Sequence, residues 1–274
     1  MIKTTSPRHF ALSPAPAAGS RSFDATAQQA VYVVLPAYNE QHALAPLLDA
    51  VRQAMEPTRL PYTVIVVDDG SRDATALVAS KASFDMPVEL VEHDVNRGLA
   101  AALRSGLDAA LDRCGPDDVI VTMDADNTHP PRLIPEMVAR LQAGHDVVIA
   151  SRFQPGARVH GLPRSRELFS LVARWMFQAT FPIRGVRDYT CGYRAYRANA
   201  LRQAIDTYGD QLITETGFAC MADVLLKLRR LDLRMTEVPL ELHYDRRGGD
   251  SKMPVLRTIR QTLLLVVRRR LGIR

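Results

Sequence analysis

Residues 64–71 read Val-Ile-Val-Val-Asp-Asp-Gly-Ser, a run of four aliphatic residues that ends abruptly in two aspartates. An apolar run without alternation is typical of a strand that is buried on both faces. Residues 31–35, 119–123 and 147–150 have the same character. Between these runs, apolar residues recur at helical spacing over residues 44–51, 99–107 and 133–141. The pattern predicts an α/β fold with a Rossmann-like, mostly parallel sheet and helices on both faces.

The composition is that of a soluble globular protein: 274 residues, 47% hydrophobic and 24% charged. A net charge of +5 is too diffuse to indicate a nucleic-acid partner, and we predict none. The three cysteines, Cys114, Cys191 and Cys220, are far apart in the sequence. They fit neither a disulfide framework nor a zinc site, which favours a reducing, cytoplasmic location. We expect Cys191 to be a small packed residue.

The chain divides into three predicted segments. Residues 1–29 are rich in Ala, Ser, Pro and Thr, which predicts a disordered tail and, because prolines interrupt it, no signal peptide. Residues 30–253 form one predicted domain. Residues 254–274 are predicted to form a basic amphipathic helix, with one apolar face that includes Ile259, Leu263 and Val267. This helix is too polar to span a membrane, so it either packs on the domain or lies at the cytoplasmic face of a membrane.

Polar residues follow three of the predicted strands, at the edge where open α/β sheets bind ligands. They lie in residues 36–40 (Pro-Ala-Tyr-Asn-Glu), 68–71 (Asp-Asp-Gly-Ser) and 124–126 (Asp-Ala-Asp). No Gly-rich phosphate loop follows the first strand, which argues against a dinucleotide dehydrogenase or a P-loop kinase. Asp124 and Asp126 offer hard oxygen ligands that suit Mg²⁺ or Mn²⁺ and a diphosphate leaving group. The simpler interpretation is that they cap the turn before Pro130.

These motifs, together with residues 34–40, 66–73, 96–98 and 123–126, resemble the successive motifs of family 2 inverting glycosyltransferases of the GT-A fold. Residues 188–197 (Asp-Tyr-Thr-Cys-Gly-Tyr-Arg-Ala-Tyr-Arg) are similar to a segment of dolichyl-phosphate mannose synthases and related polyprenyl-phosphate glycosyltransferases. The resemblance covers roughly residues 31 to 253. It implies metal-dependent transfer of a sugar, with mannose favoured, from a nucleotide-sugar donor, with GDP-mannose favoured. The implied acceptor is a polyprenyl phosphate or another lipid-linked molecule.

The resemblance also implies roles for individual residues. The implied nucleotide-binding residues are Pro36, Tyr38, Glu40, Asp68, Asp69, Asp124 and Lys252. The implied ligands of Mg²⁺ or Mn²⁺ are Asp124, Asp126 and Thr128, although Thr128 stands where many members carry Gln. The implied catalytic residues are Asp126, Arg152, Arg166 and Arg246. Of these, Arg152 and Arg166 would receive the acceptor phosphate, because a guanidinium matches phosphate oxygens, and Arg246 would close over the donor diphosphate.

Two other functions stay open on the sequence. Glu215 lies near the position of a catalytic base in relatives that glycosylate hydroxyls, so a UDP-sugar-dependent enzyme with a soluble hydroxyl acceptor is one alternative. The simpler interpretation of Glu215 is a carboxylate stabilised by a helix N-terminus. The second alternative is a non-catalytic sugar-nucleotide-binding protein.

Several aromatic residues and histidines receive structural interpretations. The aromatic residues Trp175, Phe177 and Phe181 are predicted to line the core, with a lipid groove as the alternative. None of the histidines near the motifs has metal-ligand spacing, and we expect a structural role for each; they are His129, His160 and His243. For His129, assistance at the edge of the metal site is the alternative.

Overall fold

The computed structural model describes residues 28–162, 164–217, 219–244 and 255–271, with the side chains of residues 164–166 and 255–258 excluded. The predicted tail therefore lies outside the described residues except for its last two positions. The described residues contain nine strands: β1 (Val31–Ala37), β2 (Tyr62–Asp68), β3 (Val88–Glu92), β4 (Val119–Thr122), β5 (Val147–Ser151), β6 (Arg158–His160), β7 (Arg194–Arg197), β8 (Met235–Pro239) and β9 (Glu241–His243).

Eight α-helices surround the sheet within the described part of the chain. They are α1 (Leu44–Met55), α2 (Thr75–Ala82), α3 (Leu99–Leu111), α4 (Ile134–Gln142), α5 (Arg164–Thr180), α6 (Ala198–Tyr208), α7 (Ala219–Leu228) and α8 (Val255–Arg270). The helical stripe predicted from residue 44 to residue 51 is the buried face of α1. Burial of each such aliphatic side chain stabilises the fold by about 1.5–3 kcal/mol.

Seven strands form one sheet in the order β3-β2-β1-β4-β7-β5-β8. Each of its pairs is parallel except the two that involve β7, which runs antiparallel to β4 and to β5. Residues 64–67, 119–121 and 147–150 are fully buried in it, as the apolar runs predicted. The prediction of a mostly parallel sheet with flanking helices is confirmed. A second sheet pairs β6 with β9.

The strand β7 was not predicted, because its sequence Arg-Ala-Tyr-Arg lacks an apolar run. Its first residue, Arg194, is a fully buried arginine. The guanidinium donates to the carbonyl of Met221 at 2.7 Å and to that of Tyr189 at 2.8 Å. A charge buried in this way is tolerated because fixed carbonyl dipoles replace water. β7 is therefore held by hydrogen bonds that its sequence does not reveal.

The predicted aromatic core is only partly correct. Phe177 and Phe181 are buried, and Phe177 stacks on Tyr189 with ring centroids 5.2 Å apart. Trp175, in contrast, is 65% exposed on the outer face of α5. The prediction that Trp175 lies in the core is wrong, because two residues along a helix turn a side chain about 200° away from Phe177.

The C-terminal helix α8 packs on the domain by a face that matches the predicted apolar one only in part. Leu265 is buried, whereas Leu263 and Val267 are exposed. A polar contact helps to set which face of α8 packs on the domain, because Arg269 donates to the buried carboxylate of Asp223 at 2.8 Å. Of the predicted apolar face, Val266 also packs against the core and Ile259 is half-buried. Within the described residues, no helix is long and apolar enough to cross a membrane.

Cys191 is buried, as predicted, and burial raises the pKa of its thiol to about 12. All three cysteines are free and buried.

Candidate functional site

The sheet brings its polar strand ends to one edge. The register pairs Ala37 with Asp68 across β1 and β2, and β1 is in turn parallel to β4. β5 runs in the same direction, so Arg152 leaves the sheet at the same edge. Because β7 is antiparallel, the segment that precedes it also arrives there. Residues 188–192 therefore meet the ends of β4 and β5.

The turn after β4 holds two carboxylates. Asp126 is buried, and its Oδ1 accepts hydrogen bonds from Oγ1 of Thr128 at 2.7 Å and from the Thr128 backbone N at 3.2 Å. Asn127 between them has φ 60°, in the left-handed region that Asn adopts more readily than most residues. The side chain of Asp124 is 37% exposed. The turn therefore fixes Asp126 through Thr128 and leaves Asp124 accessible.

Asp124 lies against the segment before β7. A Cβ added at Gly192 would lie 3.5 Å from Oδ1 of Asp124, so this glycine leaves room beside the carboxylate. On the other side, the Asp124 backbone N donates to Nδ1 of His129 at 3.3 Å. His129 is buried and packs on the ring of Tyr193, with centroids 5.2 Å apart. These contacts agree with the structural role expected of His129.

The two aspartates after β2 have different surroundings. Oδ1 of Asp68 accepts hydrogen bonds from the backbone N and the hydroxyl of Ser71. Asp69 accepts hydrogen bonds from the backbone N of Arg97 at 2.9 Å and of Gly98 at 2.7 Å, and lies 2.7 Å from Nδ1 of His93. Gly98 has φ 89°, a conformation that favours glycine and that presents its N–H to Asp69. Asp69 thus anchors the start of α3 by contacts within the protein.

The predicted donor residues after β1 lie beside this pair. The backbone N of Glu40 donates to Oγ1 of Thr75 at 2.8 Å, and that of Asn39 donates to Oγ of Ser71 at 2.9 Å. The end of β1 and the loop after β2 are therefore fastened together. Pro36 and Tyr38 are half-buried in the same region, and Pro36 lines the cleft described below.

Arg152 forms a buried ion pair with Asp188, a residue to which the sequence assigned no role. Its Nε donates to Oδ2 at 2.8 Å and its Nη2 to Oδ1 at 2.7 Å, a two-point contact. Nη2 also donates to Oγ1 of Thr190 at 2.6 Å, and Nη1 to Oγ of Ser170 at 3.3 Å. Among the described residues, four of the five guanidinium N–H groups are thus used, and one on Nη1 remains for a ligand.

The ion pair shifts the titration of both partners. Although desolvation opposes it, the Arg152 guanidinium holds the pKa of Asp188 below its ordinary value. Desolvation likewise disfavours the charged guanidinium, but Asp188 raises the pKa of Arg152 above its ordinary value. Behind the pair, burial raises the pKa of Glu237, whose Oε1 accepts from the backbone N of Arg187 and of Asp188 at 2.6 Å each. Arg152 is therefore a permanently charged group in a fixed orientation.

A cleft of about 250 Å³ joins these groups. Its polar end contains Asp124, Asp126, Thr128, His129, Arg152 and Thr190. Its other end is apolar and lies between α5 and α8, where it is lined by Leu162, Phe169, Val172, Met176, Ile259 and Leu263. The same cleft can therefore hold an anionic group at one end and a hydrocarbon at the other.

The apolar end of the cleft opens beside an exposed apolar surface on α5 and α8, which pack against each other. We call this the α5–α8 surface; it comprises Leu168, Phe169, Leu171, Val172, Trp175, Leu263, Leu264, Val267 and Leu271. Arg260, Arg268 and Arg270 are exposed on α8. Contiguous exposed apolar residues rimmed by basic groups are typical of a surface that contacts something other than water.

Three predicted site residues are not described fully enough to place. Arg246 and Lys252 lie in residues 245–254, outside the described residues. Arg166 lies in the first turn of α5, but its side chain is not described. Glu215 is described and does not line the cleft; it lies 3.3 Å from Nη1 of Arg268. The structure therefore gives this carboxylate an ion pair with α8.

The comparison of this chain with known proteins gives a consistent result. Residues 32–206 match the family Glycosyl transferase family 2. An undecaprenyl-phosphate mannosyltransferase of Micrococcus luteus is 34% identical over 81% of this chain and 87% of that protein. A polyprenol monophosphomannose synthase of Mycolicibacterium smegmatis is 30% identical over 82% of this chain and 81% of that protein. A dolichol-phosphate mannosyltransferase of Pyrococcus furiosus is 32% identical over 81% of this chain, which spans 59% of that protein.

Solved structures resemble the fold. Glucosyl-3-phosphoglycerate synthase of Mycobacterium tuberculosis, crystallised with Mn²⁺, UDP and glucosyl-3-phosphoglycerate, superposes with a TM-score of 0.63 at 22% identity. The match covers 90% of this chain and 81% of that one. The same enzyme with Mg²⁺ and UDP gives a TM-score of 0.63 at 21% identity, covering 90% and 80% of the two chains. The predicted GT-A type of fold is thereby confirmed.

Proposed function

Because the chain belongs to glycosyl transferase family 2, and is therefore a glycosyltransferase, we propose that it transfers a sugar from a nucleotide-sugar donor to a polyprenyl phosphate, with inversion at the anomeric carbon. GDP-mannose is the favoured donor, since all three relatives described above are named for mannosyl or phosphomannose transfer. The observation that carries the proposal is the cleft, which places Arg152 and two aspartates at one end and an apolar groove at the other.

The acceptor phosphate binds at Arg152 in this proposal. Its remaining N–H donor on Nη1 meets a phosphate oxygen, while Asp188 prevents the guanidinium from turning away. The polyprenyl chain then follows the apolar end of the cleft between α5 and α8. Asp188 is accordingly a positioning residue and Arg152 the group that touches substrate.

The donor lies over the strand ends. Pro36, Tyr38, Glu40 and Asp68 hold the nucleoside, and Asp69 positions the loop beside it. Hard oxygen donors at Asp124 and Asp126 fit Mg²⁺ or Mn²⁺, and the absence of a Cβ at Gly192 leaves space next to Asp124. When bound, the ion supplies positive charge that neutralises the departing diphosphate. Thr128 orients Asp126 through its hydroxyl, a role that the geometry favours over direct ligation.

The reaction follows from this arrangement. An oxygen of the acceptor phosphate forms a bond to the anomeric carbon while the bond from that carbon to the donor diphosphate breaks. The electron pair leaves with the nucleoside diphosphate. The acceptor is already ionised near neutral pH, so no side chain has to remove a proton. The residues of the cleft act by aligning the two anions against their mutual repulsion.

The α5–α8 surface would bring this cleft to the lipid. Its apolar side chains can enter the interface of a bilayer, and the exposed arginines of α8 are attracted to anionic headgroups. Burying about 100–150 Å² of Trp175 at about 25 cal/mol/Å² gives about 3 kcal/mol, or roughly a hundredfold in partitioning.

A transfer assay tests the proposed reaction. Purified protein is mixed with radiolabelled GDP-mannose or UDP-glucose, Mn²⁺ and a polyprenyl phosphate in anionic vesicles, and the labelled lipid is extracted. We expect mannosyl lipid from the native protein. Asp126→Asn should reduce turnover by about 10²–10³-fold, the usual effect of removing one contact to developing charge. Asp85→Asn, in an exposed turn after α2, is the matched control and should retain activity.

The alternatives give different results. Label transferred from UDP-glucose to a soluble hydroxyl acceptor, and not to lipid, would replace this proposal by the hydroxyl-acceptor one. A sedimentation assay tests the membrane step separately: Trp175→Ser should lose vesicle binding, whereas Phe84→Ser, which removes an 85% exposed aromatic ring beyond α2, should not. Equal binding of the two variants would refute the role of the α5–α8 surface.

A further inference from the structure

His160, Glu241 and His243, which we call the β6–β9 cluster, lie on one face of the two-stranded sheet. The parallel register pairs His160 with His243, and Glu241 precedes His243 by two residues. Residues two apart on a strand point to the same side. The ligand atoms of all three lie within 4.8 Å of one another. Their separation in the sequence hides this cluster, which is why ligand spacing did not reveal it.

The distances within the cluster suit a shared cation. Nε2 of His160 and Nε2 of His243 each lie 3.4 Å from the same oxygen, Oε1 of Glu241. That is longer than a usual N–H···O hydrogen bond of about 2.7–3.2 Å. Two ligand atoms at about 2.0–2.1 Å from a tetrahedral ion are about 3.3–3.4 Å apart. The two rings stack with 11° between their planes, so one ring has to turn about its soft terminal torsion to face the ion.

The surroundings of Glu241 prepare it as a ligand. Arg132 pairs with its other oxygen, Oε2, which keeps Oε1 toward the imidazoles. The side chain of His160 is 43% exposed and that of His243 13% exposed, while the Nε2 atom of each is buried.

We propose that the β6–β9 cluster binds one transition-metal ion of the Zn²⁺ type, with two histidines and one carboxylate as ligands and water in the remaining position. Imidazole ligands select Zn²⁺ or Co²⁺ over Mg²⁺, which prefers an all-oxygen site. This group of ligand atoms does not include Asp124 or Asp126. It is linked to them through the backbone, because the N–H of His243 donates to the carbonyl of Thr128 at 3.0 Å. A bound ion would brace β9 beside the aspartate turn.

Titration of metal-stripped, tag-free, full-length protein with Co²⁺ in excess Mg²⁺ tests the proposal by visible absorption. We expect one equivalent to produce the intense bands of four-coordinate Co²⁺, which Zn²⁺ then removes. His160→Gln changes a half-exposed side chain and should abolish the bands, with His243→Gln as a second test. His42→Gln, an exposed histidine outside the sheet, should preserve them, as should Asp126→Asn.

Thermal melts without metal establish that the variants are folded. The proposal is overturned if the native protein gives no stoichiometric bands. It is equally overturned if folded His160→Gln binds Co²⁺ like the native protein, or if Asp126→Asn, and not His160→Gln, removes the bands.

Discussion

Replacing Asp188 with Asn removes the charge that holds Arg152 and leaves the shape of the side chain nearly unchanged. The native carboxylate is fully buried and accepts two charge-assisted hydrogen bonds from the guanidinium, at 2.7 and 2.8 Å. It also accepts hydrogen bonds from the backbone N of Arg152, Thr190 and Cys191 at 3.1–3.2 Å. In the variant, one of the two oxygens becomes an NH₂ group that faces other donors.

The expected loss follows from these contacts. One charge-assisted hydrogen bond contributes about 1.5–3 kcal/mol, and breaking a buried ion pair on one side costs about 3–5 kcal/mol because the other charge is left uncompensated. We therefore expect Asp188→Asn to lower the free energy of unfolding by about 3–5 kcal/mol. For a domain whose total stability is about 5–15 kcal/mol, the protein should still fold at low temperature.

Guanidinium chloride unfolding measures the stability, and the transfer assay measures kcat. The double variant Arg152→Met, Asp188→Asn should regain part of the stability, since no unpaired guanidinium remains and the amide oxygen still accepts hydrogen bonds from the backbone. It should remain inactive, because the phosphate has lost its guanidinium. A loss below about 1 kcal/mol in Asp188→Asn, or an active double variant, would refute this reasoning.

The pH dependence supplies a second check on the same pair. The folded pKa of Asp188 lies below its unfolded value of about 3.9, so its stabilisation is complete above the unfolded value. It is lost as the pH falls through the folded pKa. The stability difference between the native protein and Asp188→Asn should therefore be constant near neutral pH and shrink below about pH 4. A difference that instead grows on acidification would contradict the direction of the shift.

Three further predictions concern other parts of the fold. Thr128→Val removes the 2.7 Å hydrogen bond to Asp126 and should weaken Mn²⁺ binding in the presence of GDP by about 10–100-fold, measured by calorimetry, while Thr128→Ser should bind normally. Arg269→Gln breaks the contact with Asp223 and should cost about 1–3 kcal/mol, seen as faster amide hydrogen exchange in α8 but not in α1; unchanged exchange in α8 would contradict it. In Gly106→Ala the added methyl group collides with a side chain of β1, so the free energy of unfolding should fall by about 1–3 kcal/mol and Tm should be lower. An unchanged Tm would show that α3 can shift without cost.

The elements that the sequence predicted are those whose signal is local. The apolar runs of β2, β4 and β5 and the stripe of α1 record burial in the identity of neighbouring residues, so no knowledge of distant contacts is needed. The position of Asp68 and Asp124 at one edge also follows, because parallel strands place their carboxyl ends together.

The residues that the sequence missed depend on contacts between distant segments. Asp188 and Thr190 stand in a motif that was recognised, yet only the antiparallel entry of β7 brings them to Arg152. An aspartate opening that motif, with an arginine just after β5, was the available signal. Ser170 carried none, since it acts through a partner from another element.

The sequence by itself determined the α/β fold class, the family, and the edge of the sheet at which the carboxylates lie. Only the tertiary structure decided the pairing of Arg152 with Asp188, the outward position of Trp175, and the face by which α8 packs. The physical reason is the range of the interactions. Hydrophobic periodicity is written in residues a few positions apart, whereas ion pairs and strand registers join residues whose distance along the chain carries no information about their distance in space.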